Sequence, residues 1–120
     1  MNNKLLKTSI SIAALLFSLS VNAAMVHVTN NESVDVEITI KPDNGGSIAP
    51  EDTKKEVVKA GEHKKIHVDH KKFGKHFSLS GAVGMVSLDH DKLSTHHDYK
   101  VTYSRSENGG AIDNFAEMKK

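Results

Sequence analysis

A strict alternation of apolar and polar residues near the start of the chain most constrains its fold. The apolar positions are Val34, Val36, Ile38 and Ile40, and the residues between them are Asp35, Glu37 and Thr39. Successive side chains of a β-strand point to opposite faces, so this pattern predicts a strand with one buried and one solvated face. Val26 and Val28 repeat the alternation, and polar residues 30–33 separate the two segments. Residues 25–41 are therefore predicted to form two strands joined by a short connection.

Further strand signals follow along the chain. They fall at residues 56–59, 64–69, 82–88, 99–104 and 111–115. The first two flank the turn Ala60-Gly61-Glu62 and are predicted to form a hairpin, whereas residues 82–88 are mostly apolar, which favours one buried strand. About seven short strands predict an all-β fold, a small antiparallel β-sandwich of the immunoglobulin-like or Greek-key type. The opening strand pair and the later turn resemble those of immunoglobulin-like exported sandwiches.

Residues 1–23 have the three parts of a secretory signal peptide. Lys4 and Lys7 precede an apolar stretch at 10–17, and a small-residue exit ends at Ala23. The apolar stretch is too short to span a bilayer. We therefore expect an exported protein, periplasmic or secreted, with one β-sandwich domain over residues 24–120. No transmembrane segment is expected in the mature protein.

Composition narrows the function. The chain has no cysteine, which excludes thiol catalysis and cysteine-ligated metals. Without the two lysines of the leader, 14 basic residues oppose 15 acidic ones, and this balance argues against a nucleic-acid binder. The chain has one arginine, which gives little support for sequence-specific contacts to bases. All eight histidines lie beyond the leader, so acid would make the protein cationic. Because no GxSxG elbow occurs, we expect a non-enzymatic binding module.

Seven of the eight histidines lie within residues 63–97. Without cysteine, a metal site here would combine histidine with carboxylates, a donor set that suits zinc or copper. The first predicted group lies in and after a predicted loop and consists of His90, His96, His97 and Asp98. The second predicted group consists of His63, His67 and His70. Lys65 shares a strand face with His63 and His67, which opposes metal binding there. The alternative is that the histidines are pH-responsive surface residues.

Lysine density is the other unusual feature, with eight lysines against three acids between residues 54 and 76. The candidates for anion binding are Lys54, Lys55, Lys64, Lys65, Lys71, Lys72 and Lys75. They predict a partner protein or an anionic surface, such as a glycan or lipid headgroups, bound more strongly at acidic pH. The alternative is a solvated face that keeps edge strands from pairing. Metal capture is thus the first functional hypothesis, and an interaction protein or effector with a Lys/His-rich face is the second.

Overall fold

The computed structural model describes residues 23–45 and 52–118, which form eight strands and one short helix. The strands are β1 (Ala23–Asn30), β2 (Val36–Pro42), β3 (Lys54–Val58), β4 (His63–Asp69), β5 (His76–Val83), β6 (Val86–Ser94), β7 (Asp98–Arg105) and β8 (Ala111–Met118). Helix α1 (His70–Phe73) connects β4 to β5. The fold is all-β, as predicted, with one strand more than expected. Residues 1–22 of the predicted signal peptide lie outside the described residues. Its last residue, Ala23, is the first residue of β1.

The strands form two four-stranded sheets. Sheet A has the order β4-β1-β7-β8, and sheet B has the order β3-β2-β5-β6. Sheet B is antiparallel throughout, but in sheet A β1 pairs with β7 in parallel. The prediction of a purely antiparallel fold is therefore wrong at this pairing. The chain passes through sheet B between β1 and β7, so no hairpin turn imposes an antiparallel reversal on them.

The predicted hairpin between residues 56–59 and 64–69 is wrong. β3 pairs with β2, whereas β4 pairs with β1, so the turn between them carries the chain from sheet B to sheet A. Two backbone hydrogen bonds fix this turn to the end of β1. Gly61 N donates to Asn30 O at 2.8 Å, and Asn30 N donates to Glu62 O at 2.9 Å. The turn is thus held by a distant strand, which a local pattern does not reveal.

The apolar run at residues 82–88 is two strands rather than one. β5 ends at Val83, β6 begins at Val86, and Gly84 between them has a φ of 60°. Glycine adopts this left-handed conformation without steric cost, so the chain reverses there. Met85, at the tip of the reversal, is fully exposed. The extra strand, β6, comes from this reversal.

One cluster of buried side chains contains residues from both sheets and from α1. Its largest members are Tyr103, Phe73, Phe77, Ile38, Ile40, Ile66 and Leu79. The predicted alternation places Val36, Ile38 and Ile40 inside, whereas Val34, just before β2, is 46% exposed. The alternation therefore identifies the buried face correctly from the first residue of the strand onward.

Side chains connect the edge strands of the two sheets at both margins. At one margin, Lys54 Nζ donates to His67 O at 3.1 Å, and Lys64 Nζ donates to Val57 O at 3.0 Å, which joins β3 to β4. At the other margin, the imidazole of His90 on β6 contacts Asp113 on β8. Edge lysines discourage the edges from pairing with other chains. Two of the candidate anion-binding lysines therefore have a structural role.

Candidate functional site

A row of basic side chains crosses three strands on the outer face of sheet A. His27 on β1 lies opposite Lys65 of β4 on one side and Lys100 of β7 on the other. Directly opposite residues have Cβ atoms about 5 Å apart, so the three side chains are neighbours. His63 and His67 flank Lys65 on β4 and are exposed. These five residues, His27, His63, Lys65, His67 and Lys100, are called the cationic face below.

Strand alternation places all five side chains on this face. The residues that alternate with them are buried and are Val26, Val28, Ile66, Val68, Tyr99 and Val101. Because each strand buries these apolar positions, the intervening residues must point to solvent. The cationic face is thus a direct result of the pattern that builds the core.

The imidazole of His27 lies at the centre of the cationic face. Burial is the largest cause that lowers its pKa, and Lys65 is the second. Asp98 opposes this shift, while His63 and Lys100 add to it. The ring centroids of His27 and His63 are 6.2 Å apart. The lowered pKa means that His27 is less protonated than an ordinary histidine at the same pH.

Uncharged polar groups border the cationic face. The hydroxyl oxygen of Thr29 lies 2.8 Å from Nδ1 of His63. Beside β7 is a shallow hollow of about 190 Å³ lined by Lys100, Thr102, Asn114 and Ala116. Asp69 and Asp98, at one end of the face, accept hydrogen bonds from backbone N–H groups. The face therefore presents cations, hydroxyls and an amide together, which are groups that bind an oxygen-rich anion.

The residues predicted first as a metal site do not converge. They are His90, His96, His97 and Asp98. The loop expected around His90 is in fact strand β6, which turns this side chain toward β8. There Nε2 of His90 lies 2.6 Å from Oδ2 of Asp113, and its ring stacks on Phe115 with the centroids 3.9 Å apart. His90 thus joins the two sheets, apart from the other three residues.

The other three residues of this group lie at the end of the molecule that carries α1 and are His96, His97 and Asp98. The ring centroid of His96 is 4.9 Å from that of His70. Nδ1 of His97 is 2.7 Å from Oε1 of Glu117. Oδ1 of Asp98 accepts a hydrogen bond of 2.9 Å from the backbone of β1. His96 therefore pairs with a member of the second predicted group.

The second predicted metal group is divided as well. His63 and His67 lie on the cationic face with Lys65 between them, whereas His70 begins α1. Within residues 23–45 and 52–118, no three His, Asp or Glu side chains come together as a metal site. His63 and His67 thus belong to the cationic face, whereas His70 pairs with His96.

The lysines predicted to bind anions occupy several parts of the surface. Lys54 and Lys64 bridge the edges of β3 and β4. Lys65 belongs to the cationic face, and Lys55 is exposed on the outer face of sheet B. The other three lie in or just after α1 and are Lys71, Lys72 and Lys75. The structure does not unite all seven on one face.

Sequence reasoning missed two members of the cationic face, His27 and Lys100, and also Asp113, the partner of His90. The alternation of β1 and β7 does indicate that His27 and Lys100 point outward. Their proximity to Lys65 depends on the strand order β4-β1-β7, which no local pattern contains.

The chain matches no protein-family model and no curated protein. In the part of the chain that the structure describes, no helix has both the length and the apolar character needed to cross a membrane. Function is therefore inferred from side-chain geometry.

Because His90 joins the two sheets, we expect His90→Ala to lower the free energy of unfolding by about 1–2 kcal/mol, from lost ring stacking and an unpaired Asp113. His97→Ala is the matched control, since its contact with Glu117 is half exposed and such a pair contributes less than about 1 kcal/mol. Urea denaturation followed by circular dichroism compares the variants. Equal losses in both would contradict the structural role of His90.

Proposed function

We propose that this chain is an exported, non-enzymatic binding module whose cationic face binds an acidic polysaccharide, more tightly at acidic pH. In this proposal its two sheets form a β-sandwich of the immunoglobulin-like or Greek-key type. The observation that carries the proposal is the row of Lys65, His27 and Lys100 across three adjacent strands, with His63 and His67 beside it. A polymer with regularly spaced anionic groups is complementary to such a row.

Acid increases the charge of the cationic face. Its two lysines are charged at neutral pH, and an unperturbed imidazole titrates near pH ~6.5. Burial and Lys65 hold the pKa of His27 below that value. A bound anion would raise this pKa, and binding would therefore take up protons. The carboxylates that face the histidines are Asp98, near His27, and Asp69, beyond His67 on β4.

The groups around the cationic face favour a polysaccharide over other polyanions. Thr29, Thr102 and Asn114 offer hydrogen bonds to sugar hydroxyls beside the cations. Proteins that lie on lipid surfaces insert several large apolar side chains, whereas the apolar side chains beside this face are two methionines at its Asp98 end, Met25 opposite His67 and Met118 opposite Asp98. Sequence-specific binding of a nucleic acid relies strongly on arginine contacts to base edges. The single arginine of the chain, Arg105, is paired with Glu32.

We expect the protein to bind heparin, a sulfated polysaccharide, and polygalacturonate, a carboxylated one, roughly ten-fold more tightly at about pH 5.5 than at about pH 7.5. The reason is that acid protonates imidazole and so adds positive charge to a face that already carries lysines. Isothermal titration calorimetry measures the affinity, and buffers of different ionisation enthalpy reveal the proton uptake. Raising the salt concentration should weaken binding at both pH values.

The matched controls remove equal charge from different places. The double variant Lys65→Gln/Lys100→Gln should lose most of the binding, whereas Lys55→Gln/Lys72→Gln, outside the cationic face, should retain it. His27→Gln should reduce the proton uptake. Equal losses in both double variants, or equal affinity at both pH values, would contradict the proposal. If the protein binds phosphatidylglycerol vesicles or single-stranded DNA more tightly than heparin and polygalacturonate, the partner is a lipid surface or a nucleic acid and not a polysaccharide.

A further inference from the structure

Two histidines outside the cationic face have neighbouring rings at the α1 end of the molecule. His70 is the first residue of α1, and His96 lies in the turn between β6 and β7. Their ring centroids are 4.9 Å apart, and their planes are inclined by 40°. The backbone N–H of His96 donates to Oγ of Ser94 at 3.1 Å, which holds the turn. The fold therefore brings together two imidazoles that are distant in sequence.

The hydroxyl of Thr95 determines which nitrogen of His70 carries the proton. This hydroxyl donates its one hydrogen to the carbonyls of Gly74, at 2.7 Å, and Lys75, at 3.1 Å. The same oxygen lies 3.0 Å from Nδ1 of His70, so it can only accept there. Nδ1 of His70 is therefore the protonated nitrogen, and Nε2 of the neutral ring has a free lone pair. Metal-binding histidines are commonly oriented by a hydrogen bond that their other ring nitrogen donates, and here the acceptor is the Thr95 hydroxyl.

We propose that His70 and His96 form a two-imidazole site for a divalent transition metal ion, Cu(II) in preference to Ni(II) or Zn(II). Nitrogen ligands bind Cu(II) most tightly among these ions. Water completes the coordination sphere, because no third His, Asp or Glu joins this pair among the described residues. The neighbouring His97 is engaged with Glu117 instead. This site is separate from the cationic face and does not depend on the polysaccharide proposal.

Titration with Cu(II) sulfate, followed by electron paramagnetic resonance and by paramagnetic broadening of amide NMR signals, tests the site. We expect one tight Cu(II) per chain, with nitrogen couplings from two imidazoles. Signals of His70 and His96 should broaden first, before those of His27, His63 and His67. His70→Ala and His96→Ala should each weaken binding at least roughly ten-fold, whereas His97→Ala should not.

A second pair of variants tests the role of Thr95. Thr95→Val removes the hydrogen bond to Nδ1 and should weaken Cu(II) binding, whereas Thr95→Ser keeps the hydroxyl and should restore it. Circular dichroism verifies that each variant folds. The proposal is overturned if His70→Ala and His96→Ala bind Cu(II) as tightly as His97→Ala does, or if broadening begins on the cationic face. Because the sites are separate, His70→Ala should leave heparin binding unchanged.

Discussion

Replacing Gly81 by alanine is expected to destabilise the protein by about 3 kcal/mol or more. A Cβ at this position would overlap the hydroxyl and ring of Tyr103, which packs against the backbone of β5. Tyr103 is fully buried, so its rigid ring cannot move aside without displacing the core. Urea denaturation of the variant measures the loss.

Gly110→Ala is the matched control for this prediction. The nearest atom to a Cβ there is Oγ of Ser106 at 3.7 Å, an ordinary contact, so we expect little change in stability. Tyr103→Leu should relieve part of the cost of Gly81→Ala, which a double-mutant cycle detects as a coupling of about 1 kcal/mol or more. Similar stability of the two alanine variants would show that Tyr103 does not press on Gly81.

Asn30→Ala is expected to cost about 2–4 kcal/mol, because the Asn30 amide connects three segments inside the protein. Its Nδ2 donates to the carbonyls of Val34 and Val58, each at 2.9 Å, and its Oδ1 accepts from Glu32 N at 2.8 Å. Asn30 is fully buried. Truncation therefore leaves the groups that bond to this amide without partners, and no water can replace the amide without a rearrangement.

Asn44→Ala is the control, since the amide of Asn44 also makes hydrogen bonds to the backbone but is exposed. Its Nδ2 donates to Phe73 O at 2.7 Å, and its Oδ1 accepts from His76 N at 3.0 Å. Water can satisfy these groups, so we expect a loss of about 1 kcal/mol. Thermal denaturation of both variants measures the difference. If Asn44→Ala lowers the stability as much as Asn30→Ala does, burial of the Asn30 amide is not the reason for its contribution to stability.

Local patterns predicted the individual strands better than their partners. The alternation of Val36, Ile38 and Ile40 identified both β2 and its buried face. The pairing of β1 with β4 and β7 was not predictable in this way, because strand neighbours are chosen by packing between distant segments. The reversal at Gly84 was missed, since apolar residues on both sides of a tight turn look like one continuous buried strand.

For the candidate sites, as for the strands, the local pattern predicted which face a side chain occupies but not which distant residues lie beside it. Sequence alternation placed His63, Lys65 and His67 on one strand face, and the structure has them there. The contribution of His27 and Lys100 depends on strand order, and the pairing of His70 with His96 depends on how α1 meets the β6–β7 turn. Charge and residue type thus indicated the chemistry, and the tertiary fold decided which residues share a site.

The central place of β1 in sheet A has a consequence for the order of folding. β1 is the first strand of the described chain, yet its neighbours are β4 and the late strand β7. Contacts between segments so distant in sequence form slowly, because the intervening loop must close before they are gained. Sheet A therefore cannot be completed until almost the whole chain is available. During synthesis, β1 therefore lacks its parallel neighbour until the chain has been made as far as β7, whereas the strands of sheet B do not depend on β7.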